Sequence, residues 1–387
     1  MDSDFDYPID ASLSAEETDR LLEERLGTYV PAARTISTEV FADLDSHKHG
    51  IGWWAPHPDD KRRIFLSDYL AQLVVSFPVN LVEAALHMRE VEVNQEESSA
   101  QVRHAVVHTG VDASGPKLSV RMPPRTSLRE LLPNRLFDLH VAGMFRALGS
   151  ALDTLAGIAV VVGAFPQKVI TADFRKLLDH LKKPLPPTPG GELQELIKVA
   201  IQDSVRSAGP DGWMDWTIEY RNMLVHRGRR LQLRTLAQDH GPTILDGQGF
   251  PILRARSIVH LARDPKNSDL QAYFGTSPQP SRLSNVLEED GVRALRNTLE
   301  AAVFVSRRVC DVLLEVWRRR RATPDALPQP RAQWPDLSFQ PDTFSGFDPT
   351  SVPVAPTMAV VSPNMVRRLT SAAIESSLRS KWLQFTG

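Results

Sequence analysis

Apolar residues at steps of three and four dominate the middle of this chain. From Leu136 onward, Leu139, Ala142, Phe145, Leu148, Leu152, Leu155 and Ala159 recur at helical spacing, which predicts a helix with one buried face. The run GELQELIKVAIQDSVRSA (191–208) predicts a second helix that stops at Gly209-Pro210. A third begins near Asp211 and ends at Gly228, glycine being the common residue just past a helix end. The last spans 285–320, with Val292, Leu295, Leu299, Val303, Val309, Leu313 and Val316 as its apolar stripe and Asn285 with Glu288 as a capping pair. LKKPLPPTPGG (181–191) reads as a loop, because its prolines and glycines do not continue a helix. Residues 136–321 therefore read as four helices around one core, with an insertion (229–283) before the fourth. Within that insertion PILRARSIVHL predicts a strand.

The flanks are less regular. Residues 1–61 form an acidic segment with one short helical pattern at 15–26. Residues 62–90 have helical period, and Pro78 predicts a break between two helices. The valine-rich strings SAQVRHAVVHTG and KLSVRMPP, separated by VDASGP, predict a hairpin before residue 135. Beyond residue 321, nine prolines between 323 and 363 predict an extended tail (322–387) that closes in a terminal amphipathic helix. The fold class is mainly α: a helical N-terminal region, a small β-hairpin and a four-helix bundle.

Composition changes this picture little. Of 387 residues, 42% are hydrophobic and 24% charged, as in ordinary globular proteins. A net charge of −2 gives no global attraction to nucleic acid, so any such binding must rest on a local patch. Cys310, the single cysteine, sits in an apolar helical stripe and reads as core. One cysteine excludes an internal disulfide or a cysteine-built zinc site and suits a reducing cytoplasm. The N-terminus lacks the order of a signal peptide, and LAGIAVVVGAF (155–165) is about half of the roughly 20 residues a membrane span needs. The expectation is a cytoplasmic protein with no membrane attachment.

The chemistry concentrates in EYRNMLVHRGRR (219–230). On a helix, Trp213, Trp216, Tyr220 and Met223 share an apolar face, while Asp215, Glu219, Asn222 and His226 form a polar one. Arg221 adjoins Asn222, and an ideal helix places it well round from His226. No acid occurs from Arg221 to Gln238, whereas Arg221, Arg227, Arg229, Arg230 and Arg234 all do. Such a patch suits phosphate binding, with Arg227, Arg229 and Arg230 as substrate-holding residues. Histidine both takes and gives a proton near neutral pH, and arginine stabilises charge on a phosphorane-like transition state. These are parts for cutting RNA at its 2′-hydroxyl without a metal. The plainer alternative is the wet face of an amphipathic helix, with His226 favoured by the helix dipole.

The string Arg221-Asn222-Met-Leu-Val-His226 resembles the active-site motif of the HEPN superfamily (higher eukaryote and prokaryote nucleotide-binding): Arg, a polar residue, three residues, then His, near the end of a bundle helix. ALGSALDTLAGIAV resembles the opening helix of such bundles, and the resemblance covers residues 136–321. It implies a metal-independent endoribonuclease that needs no cofactor and leaves 2′,3′-cyclic phosphate ends. Arg221 and His226 would be catalytic and Asn222 supporting; Glu219, on the same polar face, is a further candidate for support. It also implies a homodimer with the active site at its interface, RNA as partner, and an antitoxin or regulatory protein in toxin–antitoxin or antiviral defence. The family also has catalytically inactive members that bind nucleotides or proteins, and that alternative stays open. The insertion at 229–283 departs from a minimal bundle.

Two other strings compete. Arg103, His104 and His108 in QVRHAVVHTG repeat the Arg-polar-His spacing, but their valine-rich surroundings predict a half-buried strand. APHPDDKRR resembles the zinc motif of LmbE-like deacetylases through His57, Asp59 and Asp60. No apolar strand precedes it, and a turn that caps the helix at 62 accounts for it as well.

Overall fold

The structure is a computed structural model. It describes residues 30–43, 60–112, 115–120, 128–185, 190–226, 232–238, 244–245, 251–252, 255–266, 286–323 and 326–327. Among these the fold is mainly α, with helices α1 (Pro31–Asp43), α2 (Asp60–Ala105), α3 (Leu128–Val162), α4 (Phe174–Leu181), α5 (Gly191–Ala208), α6 (Trp213–His226) and α7 (Gly291–Ala322). The terminal helix expected at the C-terminus and the pattern at 15–26 lie outside the described residues.

Pro78 does not end its helix: α2 is continuous over 46 residues, where the sequence predicts two helices. Leu70, Val74, Phe77, Leu81, Ala84, Met88 and Val91 are all buried, and their alternating steps of four and three continue in phase across residue 78. Burial of that stripe offsets the ~3 kcal/mol an interior proline costs. The predicted hairpin is present as β1 (Val106–Asp112) paired antiparallel with β2 (Gly115–Val120). Its first strand starts later than expected, because α2 extends through Ala105. Arg103 and His104 thus belong to the last turn of α2 and His108 to β1, so this second motif is split between a helix and a strand.

The described residues fall into two compact units, one holding 79–151 and 205–304, the other 30–78, 152–204 and 305 onward. Helices α2, α3, α5 and α7 each contribute a segment to both.

In the first unit, Phe137, Val141, Met144, Phe145 and Leu148 of α3 are buried with Leu81 and Met88 of α2, Tyr220 and Met223 of α6, and Leu295 and Leu299 of α7. Leu139, expected in the core, is 57% exposed. Residues 132, 135, 139, 146 and 150 are all exposed and repeat at helical spacing, so Leu139 lies on the outer side of α3. The insertion contains β3 (Gln232–Gln238) paired antiparallel with β6 (Ala255–Leu261), and between them the short pair β4 (Ile244–Leu245) and β5 (Pro251–Ile252). The expected strand at 251–261 is therefore there as β5 and β6; its partner β3 was not foreseen.

The predicted Asn285/Glu288 cap is not the one used. Val286 is held extended by a bridge to Ala262, with Leu287 N–H donating to the Leu261 carbonyl (2.8 Å). That postpones α7 to Gly291. Asp290 caps it instead: its Oδ1 accepts from Val292 N–H (2.9 Å) and its carbonyl from Ala294 N–H (2.9 Å). Glu288 pairs with Arg263 (3.3 Å), and Asn285 lies outside the described residues.

In the second unit α1 is tied to α7. Buried Asp43 accepts from Trp317 Nε1 (2.7 Å) and from Arg321 Nη1 (2.9 Å), and Glu39 pairs with Arg318. Asp173, at the N-cap of α4, accepts from Lys176 N–H (2.7 Å). Cys310 is fully buried, as expected, and burial pushes its thiol far above the ordinary range, which makes it inert. Among the described residues one helical segment, Arg135–Val162, is long and apolar enough to cross a membrane, and it extends well beyond the apolar run at 155–165. Its apolar window is 72% buried within the protein, as in a core helix.

Candidate functional site

The helix that carries the motif is punctuated at its start. Gly209-Pro210 closes α5, and Gly212, at φ +82°, turns the chain through the left-handed region that glycine adopts without strain. The Gly212 carbonyl then accepts from Trp216 N–H (2.9 Å) as α6 begins. The predicted aromatic face is the buried one: Trp213, Tyr220 and Met223 are buried and Trp216 half-buried. Both indoles are satisfied, Trp213 Nε1 donating to Val205 O (2.8 Å) and Trp216 Nε1 to Ala262 O (3.0 Å). Phe145 of α3 stacks on Tyr220 (centroids 4.8 Å, 21° between planes) and meets Trp216 edge-on at 6.0 Å.

One turn beyond Phe145, α3 presents Gly149. The Arg221 side chain crosses this glycine: a β-carbon there would lie 2.9 Å from Arg221 Nε and 3.2 Å from its Cγ. The missing side chain lets the half-buried Arg221 lie against the α3 backbone. Its Nη1 donates to Asn222 Oδ1 (3.2 Å). Arg221, whose Cα projects well away from the polar face, is thereby drawn toward Asn222. Asn222 and Glu219 are half-buried and Asp215 is exposed, so this face is only partly wet.

His226 is the last residue of α6, but its side chain lies outside the described residues, as do Arg227, Arg229 and Arg230. The structure thus brings Arg221 and Asn222 together and puts the His226 backbone one turn past Asn222. Gly149, which seats the arginine, was not singled out from the sequence. A glycine inside an apolar helical run is itself a signal of close approach by another element.

Two further clusters exist in the first unit. A cleft of about 850 Å³ is lined by Glu92, Gln95 and Glu96 of α2, Ser257 of β6, and Arg293 and Arg296 of α7, among others. Within it Arg296 pairs with Glu92, and Asn297 donates to Glu289 (3.3 Å). The second cluster is a histidine pair. His87 Nδ1 and His140 Nδ1 lie 2.9 Å apart, with the His87 ring over Gly143. With both rings neutral, one donates and the other accepts; with both protonated, both nitrogens are donors and the bond is lost.

Burial, then His140 and Arg146, lower the His87 pKa, against the opposing pull of Glu83 and Glu90. Burial and Lys183 lower that of His180 in the second unit. A histidine whose folded pKa lies below its unfolded value near 6.5 contributes stability above that pH, lost as pH falls through it. The midpoint of urea unfolding is therefore expected to drop as pH is lowered from 7.5 to 5.5, and more shallowly in His87→Gln. A midpoint that rises over this range would refute the assignment.

No protein family, curated protein or solved structure matches this chain.

His57 and Asp59 lie outside the described residues, and Asp60 opens α2 with its side chain also outside them. Among the described residues no group of three or more His, Cys, Asp or Glu is placed to hold a metal ion.

Proposed function

We propose that the protein is a HEPN-type endoribonuclease that cuts RNA without a metal, acting as a homodimer whose two motifs line one cleft. The observation that carries this reading is the seating of Arg221: a guanidinium fixed by α3 and Asn222 on the helix that ends at His226. Arg227, Arg229 and Arg230 follow at once and would hold the RNA backbone.

In this reading a neutral His226 imidazole takes the proton of a ribose 2′-hydroxyl, whose oxygen bonds to the adjacent phosphorus. The bond from phosphorus to the 5′-oxygen breaks, and the imidazolium of the second His226 in the cleft protonates the leaving oxygen. Arg221 stabilises the additional charge on the phosphoryl oxygens. The products are a 2′,3′-cyclic phosphate and a 5′-hydroxyl. An RNA-degrading toxin or antiviral effector, held in check by an antitoxin or regulatory protein in a cytoplasmic setting, is the role that fits such an activity.

The test is cleavage of single-stranded RNA by the full chain in EDTA, with product ends identified. His226→Ala is expected to lower the rate at least 100-fold without changing the circular dichroism spectrum. An unchanged rate in that variant ends the proposal. The burial of Arg221 also favours a second reading, a catalytically inactive HEPN-like module in which Arg221 merely braces α6. That module would bind nucleotide or protein and cut nothing.

A further inference from the structure

Two glycines of α3, Gly143 and Gly149, each let a side chain from a neighbouring helix lie against the α3 backbone. The His87 ring of α2 lies over Gly143, where a β-carbon would come within 2.5 Å of it, and the Arg221 side chain of α6 lies over Gly149. Arg146 stands midway between the two in sequence. At 3.6 residues per turn a step of three swings the side-chain direction by about 60°, so the two glycines face to either side of Arg146. Arg146 therefore points outward between α2 and α6, and it is exposed.

Among the described residues Arg146 makes no hydrogen bond or ion pair. No acid occurs on α3 from His140 to Leu152, and Glu83 of α2 approaches His87 Nε2 (3.9 Å) instead. β-Carbons three apart on a helix are about 5–6 Å apart, and Arg221 Nε lies 2.9 Å from the β-position of Gly149, so Arg146 Cβ is within about 9 Å of Arg221 Nε. Two guanidiniums this close, with no carboxylate of α3 between them, repel one another unless an anion joins them. Their forked N–H donors match the oxygens of a phosphate.

We infer that Arg146 is a substrate-binding residue of the cleavage site. It holds the phosphate next to the one that Arg221 attends, so that the RNA strand crosses the outer face of α3 between α2 and α6. RNA as the ligand rests on the nuclease reading; the place of Arg146 beside Arg221 does not. Arg227, Arg229 and Arg230 follow α6 in sequence, whereas Arg146 comes from another helix and so sets the direction in which the strand leaves the site. The phosphate it holds carries the same charge before and during the reaction, so the contact acts on KM rather than kcat.

The probe that tests this is a single-stranded RNA of about ten nucleotides with 2′-O-methyl groups, which offers every phosphate but no hydroxyl for attack. Its affinity for the full chain is read by fluorescence anisotropy from about 50 to 200 mM salt. Arg146→Ala is expected to weaken binding about tenfold and to reduce the slope of log K against log salt by about 0.7, the share of one phosphate on a single strand. Arg146→Lys should keep the slope, because it keeps the charge. Arg135→Ala, on the same exposed side of α3 but about 16 Å earlier, should change neither. With cleavable RNA, Arg146→Ala should raise KM about tenfold and leave kcat within about twofold. Circular dichroism should be unchanged, since Arg146 is exposed; should the alanine variant misfold, Arg146→Gln repeats the test. Affinity and slope unchanged in Arg146→Ala, or lost equally in Arg135→Ala, overturn the inference even if the chain cuts RNA. So does a wild type that does not bind the probe. A wild type that binds it through Arg146 but leaves ordinary RNA whole keeps this contact and removes the nuclease reading.

Discussion

Arg221→Ala is expected to lower RNA cleavage by about 100- to 1,000-fold, the usual effect of removing one donor that stabilises transition-state charge. The loss should fall mainly on kcat, with KM little moved, because the neighbouring arginines would still hold the backbone while the phosphorane-like charge went unanswered. Arg221 also packs on Gly149 and bonds to Asn222, so lost activity alone would not separate chemistry from bracing. Two companions do. Arg221→Lys keeps the positive charge but not the planar fork, and should recover only a small part of the rate. Gly149→Ala keeps every charged group and places a methyl 2.9 Å from where Nε now lies, displacing the guanidinium. It should slow cleavage measurably while the melting temperature barely moves. Single-turnover rates in EDTA read all three. Wild-type rates in Arg221→Ala would remove the residue from the chemistry.

What could be read in advance follows the range of the forces involved. Helices α5 and α6 were legible because their signals are local. Gly209-Pro210 separates them, and Trp213, Tyr220 and Met223 mark the buried side of α6 at helical spacing. The Arg221–Asn222 pair was legible for the same reason. Helix α1 was not: PAARTISTEVFAD is weakly patterned, and its strongest tether, Asp43 to Trp317, joins residues 274 apart. The phase of α3 was half legible. Its apolar spacing includes Leu139 as readily as Val141, and only the neighbours at His87 and Tyr220 decide which side turns inward. Strand β3 needed its partner β6 to be recognised, and Pro78 would break a helix lacking buried residues in phase on both sides.

The largest loss of stability is expected from Arg320→Met, about 2–4 kcal/mol by chemical denaturation. Arg320 is fully buried near the end of α7, and its Nη1 donates to the carbonyls of Val161 (3.1 Å) and Val162 (3.0 Å). Those carbonyls belong to the last turn of α3, which carries partial negative charge, and that of Val161 also accepts from Ala164 N–H (3.3 Å). Burial lowers the guanidinium pKa to about 10, so its charge is costly to keep inside yet still present at neutral pH. Exchanging a buried ion pair for apolar groups is often neutral, because both members leave together. Here only the donor can be exchanged; the carbonyls are backbone and stay buried. Methionine would fill the space and relieve the desolvation of the charge, but it would remove charge-assisted bonds to both oxygens, and the second effect outweighs the first. Arg320→Lys should recover part of the loss, since a single ammonium still reaches one carbonyl. A urea midpoint unchanged in Arg320→Met would mean that these carbonyls find other donors and that Arg320 is tolerated rather than required.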